Sequence, residues 1–273
     1  MRRLKKILDQ SPGYWVAIVF LLILVFMSLI APLIPIDPNA TDVTNMSQPP
    51  SGAHWFGTDE LGRDYFIRVV YGGRISLLVG LLAMLTSTLI GTVVGLVSGF
   101  FGGFVDSLLM RLVDVLSSIP WLVLVIVLST LMRPGMTTII IVIGCFSWMG
   151  IARLIRAEAM AAKGRDYVEY ASFLGVKKPV IMWRHLMPAV LPTLIVAASN
   201  SISGAIMTES ALSFLGMGIQ PPTASWGSLL QNGQSALQRA PQMALLPGLF
   251  IALTVYSFNK IGELFQDYME RKV

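Results

Sequence analysis

Charged and aromatic side chains are concentrated between residues 166 and 188, in the segment DYVEYASFLGVKKPVIMWRHLMP. Acidic residues lie near its start and basic residues follow its glycine, whereas the sequence on both sides is strongly apolar. Side chains of these types can bind a partner protein or the headgroups of anionic lipids. The segment is therefore the first candidate for an interaction site.

The sequence shows no pattern typical of an enzyme. It has no Gly-x-x-x-x-Gly-Lys-Ser/Thr phosphate loop, and no Ser/His/Asp set that one side of a membrane could bring together. Its two histidines, His54 and His185, and its one cysteine, Cys145, cannot form a metal site or an intrachain disulfide. We therefore predict no catalytic residues, no metal ligands and no cofactor bound by this chain.

The elements that carry the charged segment are apolar. Of the 273 residues, 55% are hydrophobic and 13% are charged, about half the charged fraction of an average soluble domain. Six runs lack any charged residue or histidine, and each approaches or exceeds the length that a membrane helix needs. We predict an all-α polytopic membrane protein with six transmembrane helices, near residues 15–36, 75–100, 107–132, 134–156, 188–213 and 241–262.

The basic residues predict the orientation. Of 20 Lys and Arg residues, 14 fall in segments that six crossings place on one side, and the positive-inside rule makes that side cytoplasmic. One membrane domain, 15–265, then lies between cytoplasmic tails 1–14 and 266–273, with an uncleaved first helix. The extracellular loops are 37–74 and 214–240, and the loop 157–187 is cytoplasmic. The net charge of +5 thus reflects topology in a cell membrane and does not indicate nucleic-acid binding.

The charged segment has the local pattern of two short helices joined by a turn. Asp166 and Glu169 have the spacing of a capping box, and Tyr167, Tyr170, Ala171 and Leu174 would share one helical face. Gly175 follows, as a left-handed helix cap would. The next residues are Lys177 and Lys178, then Pro179 in a first helical turn, with Pro188 and Pro192 leading into the fifth membrane helix. This pattern alone leaves open a helix that rests on lipid headgroups.

Other polar residues and glycines are candidates for narrower roles. Gly91, Gly95 and Gly99 form a small-xxx-small row suited to helix packing. Arg111 and Asp114 are spaced as an i, i+3 ion pair. Glu209 is an ionisable residue in an apolar helix and so a candidate for the translocation path. Two further path candidates on the same helix are Asn200 and Ser203.

The long extracellular loop has its own polar motif, FGTDELGRD at residues 56–64. Asp59, Arg63 and Asp64 could contact a partner, or Asp59 or Asp64 could cap the next helix. Trp55 and Trp226 could be interfacial belt residues.

Several of these blocks resemble one family. Glu169, Ala171, Gly175 and Pro188 match the cytoplasmic signature of binding-protein-dependent ABC importer permeases, with Tyr170, His185 and Met187 departing mildly from it. The blocks FGTDELGRD, YGGRISLLVG, GFFGGFVDSLLMRLVDVLSSIP and ALSFLGMGIQPPTASWG resemble the C-type subunit of the dipeptide/oligopeptide/nickel permeases. These blocks lie in order between about residues 55 and 265.

The resemblance implies the fold of a type I ABC importer transmembrane domain. It also implies a homologous B-type permease as partner, two ATPase subunits that hold ATP and Mg, and an extracellular substrate-binding protein. The charged segment would then couple the path to the ATPases, through Asp166, Tyr167, Glu169, Tyr170, Ala171, Ser172, Gly175, Lys177, Lys178 and Pro188. Short peptides are the implied substrate, with a nickel chelate as the alternative within the family. A membrane scaffold or a self-sufficient channel is the alternative from another class.

Overall fold

The structure is a computed structural model that describes Leu8 and residues 11–270. The described chain is helical and contains these α-helices: α1 (Pro12–Ile30), α2 (Tyr65–Phe101), α3 (Gly103–Ser117), α4 (Trp121–Leu131), α5 (Met136–Phe146), α6 (Trp148–Lys163), α7 (Asp166–Phe173), α8 (Lys178–Ile181), α9 (Met187–Phe214), α10 (Trp226–Gly233) and α11 (Gln242–Glu270). The all-α prediction is confirmed. Most of the N-terminal tail and the basic residues Arg271 and Lys272 lie outside the described residues.

Five helical stretches of the described residues are long and apolar enough to span a membrane. They cover Pro12–Leu33, Tyr65–Phe101, Met136–Lys163, Lys178–Phe214 and Gln242–Met269. The region expected to form a third continuous helix, 107–132, instead forms α3 and α4, with a break at 118–120. Pro120 explains the break, because it has no N–H to donate and disfavours a helical conformation in the residue before it.

The helices extend beyond the apolar runs. Helix α2 begins ten residues before the expected start at 75, because the side chain of Asp64 caps it by accepting a hydrogen bond from the Ile67 amide at 3.0 Å. Its 37 residues correspond to about 55 Å, well beyond a ~30 Å hydrocarbon layer. Charged residues such as Arg68 therefore lie in the same helix as the apolar run.

Helix α2 is the centre of the packing and contacts α6, α9, α5 and α1. Three glycines lie where it crosses α6. A Cβ atom built at Gly95 or at Gly99 would lie 2.7 Å from a backbone carbonyl oxygen of α6, and one at Gly91 would lie 2.8 Å from the Ile151 side chain. Only glycine permits this approach of the two backbones. The crossing fixes the position of α6, and with it that of the charged segment that follows.

Two apolar clusters support the two ends of the bundle. At the end that carries α7 and α8, Val168, Ala171 and Ile181 of these two helices are buried with the last turns of α2 and α6. At the opposite end, Trp226 of α10 is buried among α1, α2 and α11. The loop helices at both ends are thus part of the packed structure.

Candidate functional site

The charged segment, residues 166–188, turns sharply at Gly175. Gly175 has a φ of +75°, which confirms the expected left-handed cap. The Val176 amide donates to the Ala171 carbonyl at 3.2 Å and the Gly175 amide to the Ser172 carbonyl at 3.1 Å, the two bonds of a Schellman motif. Lys177 then precedes α8, with Pro179 in its first turn. The conformation of this turn is therefore determined by the residues of the charged segment itself.

The expected capping box is wrong. Helix α7 is preceded by Arg165 in an extended conformation, and its first residue is Asp166, which makes no side-chain capping bond. Asp166 and Glu169 both lie in the first turn instead, where their negative charges interact favourably with the helix dipole. The motif predicted the helix but placed its start one residue late.

Helix α7 and the residues that follow it as far as Trp183 present aromatic and apolar side chains outward. We call this set the cytoplasmic surface, after the side of the membrane on which the Lys and Arg distribution predicts it. Phe173 is 89% exposed, Trp183 is 72% exposed, and Tyr170 and Leu174 are about two-thirds exposed. The expected common face is divided, because Ala171 packs inward with Val168 while Tyr167 stays partly exposed. Basic side chains flank the aromatic ones, at Lys177 and Lys178, and Pro188 is exposed in the first turn of α9. An exposed aromatic set of this kind marks an interaction surface.

Lysines tie the cytoplasmic surface to the end of α2. The Lys178 Nζ atom lies 5.6 Å from the centre of the Phe101 ring, and the Lys163 Nζ atom lies 5.7 Å from that of Phe100. These distances are within the range of cation–π attraction. Lys178 thus joins α8, and Lys163 joins α6, to the last turn of α2.

A cavity of about 760 Å³ lies beside the two interrupted helix pairs. Helix α3 ends and α4 begins at one wall, which carries Ser117, Ser118 and Trp121. Helix α5 ends and α6 begins at a second wall, which carries Ser147. Broken helices place polar groups inside a membrane domain, because the backbone groups at helix ends lack intrahelical partners.

Helix α9 forms the third wall of this cavity and carries Asn200, Ser201 and Thr208. Asn200 also lines a second cavity of about 520 Å³, between α9 and α11, together with the buried Ser203. The structure therefore places two of the three path candidates, Asn200 and Ser203, beside open space.

The third path candidate, Glu209, is placed differently. Its side chain is 0% exposed and lines neither of these cavities. Its carboxylate accepts hydrogen bonds from Ser76 of α2 at 2.9 Å and from Ser213 at 2.8 Å. The amide of Trp226 donates to the same Ser76 hydroxyl at 3.2 Å. Glu209 thus joins α2, α9 and α10 in what we call the outer polar cluster, after the side of the membrane on which the Lys and Arg distribution predicts it.

Trp226 is a buried residue of this cluster and not a belt residue. It is 0% exposed, and its indole Nε1 donates to the Val69 carbonyl at 3.0 Å. Ser225 and Ser228 form a capping box at the start of α10. Trp55, in contrast, is 65% exposed and packs against Phe66, with ring centres 5.0 Å apart and the ring planes tilted by 54°.

The polar residues of the outer loop bind one another. The Asp59 carboxylate accepts from the Arg63 Nε at 2.7 Å and from the backbone amides of Leu61 and Arg63. Asp64 caps α2 and also contacts the Nδ1 atom of His54 at 2.8 Å. Ion pairs and hydrogen bonds between residues of the loop therefore stabilise its conformation. The cap of α2 is Asp64 and not Asp59.

The expected pair of Arg111 and Asp114 is replaced by a pair between helices. Asp114 of α3 accepts from Nη2 of Arg153 of α6 at 2.9 Å, and the same Nη2 lies 3.2 Å from the Ser117 hydroxyl. Arg153 lines the larger cavity, whereas Asp114 does not. The cavity wall thus carries a cation whose counter-ion lies outside the lining.

Comparison with known proteins is consistent with this architecture. Residues 91–273 match the family described as "Binding-protein-dependent transport system inner membrane component". The chain belongs to this family. Residues 2–50 also match the N-terminal transmembrane domain of oligopeptide transport permease C.

Individual members are similar over most of their length. The chain is 41% identical to the dipeptide transport system permease protein DppC of Bacillus subtilis, over all of this chain and 84% of that protein. It is 42% identical to the oligopeptide transport system permease protein OppC of Escherichia coli K12, over 93% and 85% of the two chains. It is 37% identical to the glutathione transport system permease protein GsiD of Pectobacterium atrosepticum, over 93% and 85%.

A solved structure shows the same fold. The crystal structure of an amino acid ABC transporter with histidines superposes with a TM-score of 0.56 at 17% identity, over 75% of this chain and 93% of that one. The chain is therefore a multi-pass cell membrane permease component of an ABC importer, a family of transport proteins and not of enzymes. Such a permease works with ATPase and substrate-binding components.

Sequence reasoning missed most of the polar lining in this importer permease. Five hydroxyl residues line the larger cavity without having been singled out: Ser117, Ser118, Ser147, Ser201 and Thr208. A signal for the first two was present, because a Ser-Ser pair two residues before Pro120 interrupts an uncharged run. Ser147 had no comparable signal, because no proline or glycine marks that interruption.

Proposed function

We propose that the chain is the permease subunit of an ATP-driven importer for short peptides and forms half of the translocation path. The carrying observation is the identity of about 40% to dipeptide and oligopeptide permeases over nearly the whole chain. The cavity agrees with this assignment, since its hydroxyl and amide side chains can bind peptide groups of many sequences. The glutathione relative handles a compound of the same chemical class.

The other half of the path comes from a homologous B-type permease in this proposal. The larger cavity is walled by α3–α4, α5–α6 and α9 of this chain and is open on the remaining side. A partner with the same fold would close it. An extracellular binding protein delivers the peptide, and two ATPase subunits, which hold ATP and Mg, drive the cycle from the cytoplasm.

Uptake measurements test the substrate. Deletion of the chain should abolish uptake of short peptides and confer resistance to toxic peptide analogues, and expression of the chain should restore both. If peptide uptake persists in a strain without a redundant system while nickel accumulation falls, the substrate is a nickel chelate instead.

The cytoplasmic surface is the proposed contact with an ATPase. Its outward aromatic side chains would fill a groove of the ATPase, and Ala171 and Val168 hold α7 to the bundle so that force reaches the membrane helices. A cysteine at Ser172, in a Cys145→Ser background, should form a disulfide with a suitably placed cysteine of an ATPase subunit. The yield should change when nucleotide binds.

A surface that only rests on lipid gives a different result. It predicts no such disulfide in an active complex, and transport that depends on the anionic lipid content of the membrane. A scaffold or self-sufficient channel predicts transport without ATPase subunits.

Both termini are proposed to be cytoplasmic, on the basis of the distribution of Lys and Arg. Single cysteines at Ser51 and Ser225 are on the outer side in this topology, and one at Ser172 is on the inner side. Because Ser225 is buried, an exposed neighbour such as Gln220 is the better outer probe. An impermeant thiol reagent should label Ser51→Cys and Gln220→Cys in intact cells and leave Ser172→Cys unlabelled, and the reverse pattern would invert the topology.

A further inference from the structure

Arg153 has an unusual position in the larger cavity. Among the described residues that line this cavity it is the one that carries a formal charge, and the other polar lining consists of hydroxyl and amide groups. Its side chain is 47% exposed. This wall of the cavity therefore presents a guanidinium whose counter-ion, Asp114, lies outside the lining.

The guanidinium is held in place yet retains free donors. Both hydrogen bonds recorded for Arg153 in the described chain start from Nη2, one to Asp114 and one to Ser117. Nε and Nη1 are not used in these bonds, and a guanidinium carries five N–H donors in a planar fork. Asp114 and Ser117 thus fix the orientation of the fork without occupying all of it.

A planar fork with free donors fits a carboxylate, which it can bind through two parallel hydrogen bonds. We propose that Arg153 binds the terminal carboxylate of the peptide in the translocation path, an inference that rests on the proposed function. Every unmodified linear peptide carries this group whatever its side chains are. A path that accepts varied peptides gains a common anchor in this way, while the hydroxyl-lined walls tolerate the side chains.

Asp114 is the positioning residue in this arrangement. It lies outside the cavity lining and is 60% exposed, so the ion pair is strongly screened by solvent. Its contribution is to orient Arg153. Loss of Asp114 should therefore cost less transport than loss of Arg153.

The test uses the complete transporter in proteoliposomes, with the binding protein saturated by trialanine or by trialanine amide. For each peptide, uptake by the variant is divided by uptake by the wild type, so that unequal capture by the binding protein cancels. Arg153→Gln should lower trialanine uptake at least tenfold and leave trialanine amide uptake within twofold of the wild type. ATP hydrolysis stimulated by the loaded binding protein should persist, which a structural defect would not allow. The control Arg111→Gln, outside the cavity, should change neither ratio.

The charge swap Arg153→Asp with Asp114→Arg separates a carboxylate site from a simple ion pair. The swap keeps opposite charges on α3 and α6 but removes the cation from the cavity wall, so trialanine uptake should stay low. Recovery of wild-type uptake in the swap, or an equal loss for acid and amide in Arg153→Gln, would show that Arg153 serves only to join the helices. A wild-type complex that takes up neither peptide would instead refute the proposed peptide substrate.

Discussion

The outer polar cluster and the cytoplasmic surface both contain a loop helix that packs against the bundle, yet their large side chains are buried in the first region and exposed in the second. In the outer cluster, Glu209 and Trp226 are wholly buried and their polar atoms are bonded within the chain. On the cytoplasmic surface, Phe173 and Trp183 are left largely exposed. The side chains of one helix are thus covered by the chain itself, and those of the other are left for the ATPase contact that we propose.

This difference in burial predicts that the outer polar cluster contributes to stability, whereas the cytoplasmic surface contributes to coupling. A buried carboxylate is tolerated only when hydrogen bonds replace its water, and the serines from α2 and α9 supply them. Exposed large aromatics gain nothing until they are covered, so their contribution appears on binding. Changes in the outer cluster should therefore lower the amount of folded protein, and changes on the cytoplasmic surface should lower transport by protein that is still folded.

The largest expected effect is that of Gly227→Val. A Cβ atom at Gly227 would lie 2.6 Å from the Cα atom of Ser210 and 2.8 Å from its carbonyl oxygen, so backbone must move to admit it. Overpacking of this kind costs about 1–3 kcal/mol, and more where the backbone cannot yield. The purified amount of monodisperse protein and its melting temperature should both fall sharply.

Gly204→Ala is the matched control, because a Cβ atom there has no neighbour within 4 Å. Its melting temperature should equal or slightly exceed that of the wild type, because alanine is more favourable than glycine inside a helix. Equal stability of Gly227→Val and Gly204→Ala would contradict the described packing of α10 on α9.

The second effect is loss of transport in Gly175→Val. A Cβ atom at Gly175 meets nothing within 4 Å, so space is not the constraint. The positive φ is the constraint, and it costs a β-branched residue about 1–2 kcal/mol or more. The variant should insert and assemble with the partner permease but transport no peptide, as measured by uptake in vesicles that contain equal amounts of the complex.

Gly175→Asn serves as its control, because asparagine tolerates the left-handed region better than other side chains. It should retain most of the transport activity. If valine and asparagine impair transport equally, the conformation of the turn is not what couples the ATPases to the path.

Glu169→Lys probes the same helix through its charge. The substitution places a positive charge in the first turn of α7, where the helix dipole disfavours it by about 0.3–1 kcal/mol. Transport should fall without loss of inserted protein. If the variant retains wild-type transport, Glu169 is not required for coupling the ATPases to the path.

Local features of both regions could be predicted from sequence, and features that depend on distant partners could not. The Gly175 turn was predictable because a glycine after a short helix, followed by Val-Lys-Lys-Pro, has few other conformations. The burial of Trp226 was not, since a tryptophan near a membrane boundary looks the same in sequence whether it meets lipid or α2. Glu209 was interpreted as a path residue because Ser76, which satisfies it, lies 133 positions earlier.

The apolar runs likewise predicted the membrane domain but not its interruptions. Hydropathy is an average over many residues, so the run at 115–132 appears continuous although Pro120 divides it. The cavity depends on that division, which is why five of its hydroxyl residues were missed while Asn200 was found. Hydropathy also placed the start of α2 too late, because the first turn of this helix is determined by its cap, Asp64, and not by apolar residues.

Phe173→Ala should have a moderate effect. Truncating an aromatic anchor at a protein interface costs about 2 kcal/mol or more of binding free energy, and Phe173 is 89% exposed before any partner covers it. The affinity of the permease pair for its ATPases should fall, as measured by co-purification at graded detergent and salt concentrations. Leu131→Ala is the control, since Leu131 is 78% exposed at the end of α4 on the other side of the membrane. Equal effects of the two changes would show that the cytoplasmic surface is not the docking site for the ATPases.

The smallest effect on transport is expected for Glu209→Gln, which also decides between the two roles of Glu209. The amide oxygen of glutamine can still accept from one serine, and the hydroxyl groups of Ser76 and Ser213 already accept from the amides of Trp226 and Ile219. The cluster therefore stays connected, and the loss should be about one hydrogen bond to a charged group, roughly 1.5–3 kcal/mol at most. Glu209→Leu, which satisfies neither serine, should cost more. If instead Glu209→Gln abolishes peptide uptake at an unchanged melting temperature, the carboxylate acts in the translocation path after all.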